Sequence, residues 1–123
     1  MARDEVRFPH VLFLHAATTP PSQDAWQPRA DIYRMAGGWL VKLELAGVRP
    51  EDVRLEVRTS ALLVQGTRRD DCPCHGSDCH RLEISYSQFE RTLELPGISE
   101  SVEIATSYLD GMLMVRIVTE GRP

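Results

Sequence analysis

The sequence predicts an all-β protein, an antiparallel β-sandwich of seven or eight short strands. Hydrophobic residues recur with a period of two from about residue 30 onward, the spacing that places alternate side chains on one face of a strand. Turn words break the alternation roughly every 8 to 12 residues, the rhythm of a sandwich: Gly37-Gly38, Gly47-Val48-Arg49-Pro50, Thr59-Ser60, Pro96-Gly97 and Asp110-Gly111. Eight Gly and eight Pro in 123 residues favour many turns over long helices, and no stretch carries a helical period.

Each element has its own justification. In Trp39-Leu40-Val41-Lys42-Leu43-Glu44-Leu45 the odd-numbered apolar side chains share one face, with Lys42 and Glu44 opposite. Over residues 52–58, Val53, Leu55 and Val57 point one way and Arg54, Glu56 and Arg58 the other. Leu62-Leu63-Val64-Gln65-Gly66 makes a further strand, followed by Leu82-Glu83-Ile84-Ser85-Tyr86 and by residues 89–95. On this last strand Arg91 shares the apolar face of Phe89, Leu93 and Leu95, so it either snorkels or is buried with a carboxylate partner, because an unpaired buried charge costs several kcal/mol. Finally Val102, Ile104, Thr106 and Tyr108 alternate, Asp110-Gly111 turns, and Leu113, Val115 and Ile117 alternate again. Asp-Gly between two alternating runs is a hairpin signal, since the tight turn needs a positive φ that Gly takes without strain.

Residues 1–26 have no clean period. An apolar clump that includes Phe8, Val11, Leu12, Phe13 and Leu14 precedes a polar run containing Pro20-Pro21, which reads as an arm and linker outside the domain. Exposed apolar residues on such an arm usually find a partner. The apolar run over residues 11–17 is flanked by Asp4 and Glu5, where a secretory signal wants net positive charge, so the cytoplasm is the expected location. No apolar stretch reaches the roughly 18 residues of a membrane span.

At 13.9 kDa the chain is one domain, able to bury about two thirds of its unfolded surface. A composition of 42% hydrophobic and 26% charged residues is ordinary for a globular protein. A net charge of −4 and a pI near 5.5 argue against nucleic acid, whose phosphates need a basic face. Lys42 is the only Lys among 14 basic residues; arginine forks onto carboxylates, so ion pairs between strands or subunits are expected. No G-x-S-x-G, phosphate loop or H-E-x-x-H is present, and no catalytic role is assigned.

The patch Cys72-Pro73-Cys74-His75-Gly76-Ser77-Asp78-Cys79-His80 holds all three cysteines. An odd, clustered set is a poor disulfide framework and fits a reducing compartment. Cys72, Cys74, His75, Cys79 and His80 could supply the four ligands that zinc takes, although paired C-x2-C spacing is missing. Redox pairing of Cys72 or Cys74 with Cys79 is a second reading, and a solvated loop with incidental thiols a third. No cofactor is required.

Several segments carry a family resemblance: Trp26-Gln27-Pro28-Arg29-Ala30-Asp31-Ile32-Tyr33, then Glu44-Leu45-Ala46-Gly47-Val48-Arg49-Pro50-Glu51-Asp52-Val53, then Leu62-Leu63-Val64-Gln65-Gly66-Thr67-Arg68. They continue as His80-Arg81-Leu82-Glu83, Tyr86-Ser87-Gln88-Phe89-Glu90-Arg91-Thr92-Leu93-Glu94-Leu95-Pro96, and Tyr108-Leu109-Asp110-Gly111-Met112-Leu113. In this order and spacing the chain resembles the small heat shock proteins, the Hsp20 or α-crystallin-domain family, of bacterial type. The departures are Ala46 where the family usually has Pro, Ile84 where it has Arg, Ser87 where it has Gly and Thr106 where it has Ala.

The resemblance implies an immunoglobulin-like α-crystallin domain over residues 27–118, an apolar arm over 1–26 and a short end over 119–123 without the family's Ile-x-Ile motif. It implies an ATP-independent holdase, not an enzyme, whose partners are unfolded client proteins. It further implies a homodimer in which His80, Arg81, Leu82, Glu83 and Ile84 of one subunit pair with Asp31, Ile32 and Tyr33 of the other, satisfying two open sheet edges. A groove of Val53, Leu55, Val57, Val102, Ile104 and Thr106, together with the arm, is expected to hold clients or the tail of a longer paralogue. The expected assembly is a dimer or small oligomer. Two other readings stand beside the holdase: a metal or thiol redox sensor working through the Cys/His loop, and an adaptor of the CS or p23 type.

Overall fold

A computed structural model describes residues 6–7, 25–71 and 76–119. The described chain forms eight strands: β1 (Val6–Arg7), β2 (Ala30–Met35), β3 (Gly38–Glu44), β4 (Val53–Arg58), β5 (Ala61–Arg68), β6 (Ser87–Glu94), β7 (Glu103–Leu109) and β8 (Met112–Val118). One turn of 3₁₀-helix, Pro50–Asp52, leads into β4. All strand pairings are antiparallel, in a five-stranded sheet ordered β1-β7-β8-β3-β2 and a three-stranded sheet ordered β4-β5-β6.

The period-two pattern is what joins the layers. Val41 lies opposite Val115 and Leu43 opposite Leu113, and all four are fully buried. From the other sheet Leu55, Leu62, Val64, Phe89 and Leu93 complete the core. Gly66 lies opposite both Val53 and Phe89, and a Cβ there would collide with the Asp52 carbonyl and the Phe89 ring. The Asp110-Gly111 hairpin forms as expected, with φ of 53° and 81° at its two central residues, the mirror-image turn that suits twisted strands.

Three features depart from the sequence reading. Residues 82–86 form no strand, because the sheet edge next to them along the chain, that of β6, is already occupied. β5 is flanked on both sides by β4 and β6. The outer edge of β6 is taken by Trp26, whose N–H donates to Gln88 O at 3.1 Å and whose carbonyl accepts from Glu90 N at 3.0 Å. Arg91 is partly buried with a carbonyl partner instead of a carboxylate: its Nη1 donates to Pro28 O at 2.7 Å. Residues 25–29 thus run as a strap along β6. Lastly Val6–Arg7, placed by the sequence in a separate arm, pairs with the edge of β7.

Candidate functional site

The two sheets differ in width, and that difference creates the first candidate surface. β2 is hydrogen-bonded to β3 alone among the described residues. Its register puts Ile32 on the same face as the buried Val41, yet Ile32 is 40% exposed. A three-stranded sheet cannot reach beneath the outermost strand of a five-stranded one, so β2 overhangs and its inner face stays open. Asp31, Tyr33 and Arg34 are exposed on the same strand. The Arg34 guanidinium sits 4.7 Å over the Trp39 ring, under the overhang.

The second element is the segment before β6. Residues 76–86 are exposed throughout, including Cys79, His80, Arg81 and Glu83. Leu82 and Ile84 are 82% and 65% exposed and alternate with polar neighbours, with a bend at Ile84. Its ties include an Arg81–Glu83 ion pair at 3.1 Å and a hydrogen bond from Arg68 Nη1 to Ser85 O at 2.8 Å. Arg68 in turn stacks 4.3 Å over Trp26, which lies 5.2 Å from Phe89. The far end of the segment is therefore anchored to the β6 strap while the apolar pair stands in solvent. At Ser87, where the family resemblance expects Gly, φ is 71°, a left-handed backbone that Gly adopts without strain.

The start of this loop is clamped as well. Arg69 donates to both Asp52 oxygens at 2.8 Å, and hydrogen bonding to that carboxylate raises its pKa above the ordinary value. Arg49 pairs with Asp71 at 2.9 Å. Cys72, Cys74 and His75 lie outside the described residues, as do Phe8, Val11, Leu12, Phe13 and Leu14 of the arm. Cys79 is an exposed free thiol. Among the described residues no three His, Cys, Asp or Glu side chains come together as a metal site.

The third surface lies along β4 and β7. Val53, Leu55 and Thr106 are buried at 2%, 1% and 8% exposure, so they belong to the core and a docked segment would not reach them. Val57, Val102 and Ile104 are partly buried and pack against that core from its rim. β4 pairs only with β5 among the described residues, while β7 carries β1 at Ser107 and Tyr108. Tyr108 donates to Leu45 O at 2.7 Å, and burial raises its pKa. Arg68, Trp26 and β1 were not singled out as site residues from sequence; only register and stacking reveal them.

An unpaired apolar segment, an overhanging edge strand and a sandwich of this topology invite comparison with known proteins. The family model for "Hsp20/alpha crystallin family" matches residues 31–123. The chain belongs to that family. Alpha-crystallin of Mycobacterium tuberculosis is 32% identical over 105 residues, covering 84% of this chain and 70% of the relative. Small heat shock protein C4 of Rickettsia felis is 24% identical over 90 residues, and the match spans 73% of this chain but only 55% of that protein. Among solved structures, a small heat-shock protein from Xylella fastidiosa superposes with a TM-score of 0.63 at 25% identity, covering 80% of this chain and 90% of that one. No helix among the described residues is long and apolar enough to cross a membrane.

Proposed function

We propose that this small heat shock protein is an ATP-independent holdase, not an enzyme: it binds partly unfolded proteins through apolar surface and prevents their aggregation. The observation that carries the reading is the pairing of needs between the exposed Leu82–Ile84 segment and the open inner face and edge of β2. One protomer's residues 80–84 laid along Asp31, Ile32 and Tyr33 of a second copy would satisfy both. The resulting homodimer is the unit of assembly.

The rim formed by Val57, Val102 and Ile104 is the proposed docking line for extended apolar segments, whether from clients or from the tail of another small heat shock protein. Burial of apolar area at about 25 cal/mol per Å² then competes with client self-association. Neither cofactor nor covalent step is needed, and the proposed location is the cytoplasm. The test is capture: after heating with a thermolabile enzyme, the client should elute from size exclusion in a soluble complex with this protein. Recovery of the client only in the pellet, with the small heat shock protein eluting alone, would reject the reading.

A further inference from the structure

Arg68, the last residue of β5, is held in a way that the subunit's own stability does not explain. Its Nε is buried with no hydrogen-bond partner among the described residues, and a buried orphan donor is a cost to the folded chain. The rest of the guanidinium is committed in two directions. Nη1 donates to Ser85 O at 2.8 Å, and the group lies 4.3 Å over the Trp26 ring. The ring is itself fixed: it packs on the buried Phe89 at 5.2 Å, and its Nε1 donates to Ser87 O at 3.4 Å.

These two directions lead to the two elements of the proposed exchange. Ser85 follows directly on the bend at Ile84, and at about 3.3 Å per residue Leu82 lies within about 10 Å of the held carbonyl. Residues 76–86 are exposed, so the direction of the apolar pair is set where the segment meets Arg68. Trp26, for its part, opens the strap that runs into β2. Pro28 O accepts from Arg91, Arg29 O accepts from Glu44 N at 3.0 Å, and β2 starts at Ala30. One side chain thus joins the base of the exposed apolar segment to the root of the overhanging strand. Arg69, next along the chain, is engaged by Asp52 and takes no part in this link.

We infer that Arg68 is the positioning residue of the strand exchange. By holding Ser85 O against the Trp26 strap it sets the direction in which Leu82 and Ile84 leave their own subunit, and it presents them already ordered to the β2 edge of a second copy. Arg68 contacts its own subunit, so it acts on how readily pairs form and not on the contacts that hold them. Ordering a segment before encounter raises the fraction of subunits competent to pair. The inference rests on the exchange proposed above.

Arg68→Met keeps an unbranched stem beside Trp26 and removes the donor to Ser85 O. Releasing one backbone residue lowers the competent fraction about fivefold per segment, and about thirtyfold for the two segments of a dimer. The dissociation constant from sedimentation should rise by that factor. Mixing of isotope-labelled with unlabelled dimers, which is limited by dissociation, should keep its parental rate within about threefold, because the loss falls on association. Leu82→Ser, Ile84→Ser is measured alongside and should speed mixing. Mixing accelerated about thirtyfold in Arg68→Met would overturn the inference, since Arg68 would then be an interface contact. An unchanged constant for Arg68→Met beside a raised one for the double variant would overturn it alone; unchanged constants for both would refute the exchange and this inference with it. Should Arg68→Met not fold, Arg68→Lys keeps the charge without the flat fork and should raise the constant in the same manner. A parental constant for that variant would contradict the assignment.

Discussion

Replacing Leu82 and Ile84 together with Ser removes the apolar content of the proposed exchange segment without touching the subunit core. Full burial of one such side chain stabilises by about 1.5–3 kcal/mol. Leu82 is 82% and Ile84 65% exposed in the single chain, so most of that gain is still unspent and becomes available on pairing, about 2–4 kcal/mol per segment. A two-fold dimer exchanges both segments, so even the lower figure applied twice weakens the dimer about a thousandfold. Sedimentation or light scattering over a concentration series reads the dissociation constant, and thermal unfolding of the diluted protein reads the subunit. The double variant should shift the constant by that order and leave subunit unfolding within about 1 °C of the parent, since surface changes of this kind cost little. A dimer constant unchanged within about threefold, with the subunit intact, would refute the assignment of this segment to the interface.

Other residues give equally direct expectations. Ser87→Gly relieves a left-handed backbone at φ 71° and should stabilise the subunit by about 0.5–1 kcal/mol in urea unfolding; destabilisation would show that the Ser side chain matters more than the backbone. Gly66→Ala forces a Cβ against the Asp52 carbonyl and the Phe89 ring, and overpacking of this kind should cost about 1–3 kcal/mol by the same assay. The Tyr108 hydroxyl has its pKa raised by burial, so its neutral form stabilises the fold below the ordinary tyrosine range. That contribution is lost as pH climbs through the folded value. Tyr108→Phe should accordingly flatten the alkaline fall in melting temperature while losing about 1 kcal/mol at neutral pH with the bond to Leu45 O.

Much of the architecture was legible in residue order because alternation and turn chemistry act locally. Val41, Leu43, Leu113 and Val115 announced their buried face by period alone, and Asp110-Gly111 announced its hairpin by the backbone it requires. Residues 82–86 carried the same alternation and formed no strand. A period reports which side chains want a common face; it does not report whose sheet supplies the edge. The Val53, Leu55 and Thr106 positions were likewise readable as apolar strand faces, but only the packing of two sheets separates core from rim and leaves Val57, Val102 and Ile104 at the surface. Arg91 announced an unmet charge, and its partner proved to be the Pro28 carbonyl on a strap 63 residues away in sequence, a distance no local pattern spans. The pairing of Val6–Arg7 with β7 escaped for the same reason: two residues have no period.

The central claim is that apolar surface on this fold keeps unfolding proteins in solution without nucleotide. Light scattering of a thermolabile enzyme heated in ATP-free buffer, with and without this protein at about one protomer per client, measures it. The account predicts that scattering stays near baseline and returns with the Leu82→Ser, Ile84→Ser variant. Scattering as strong with the parent protein as without it would contradict the claim.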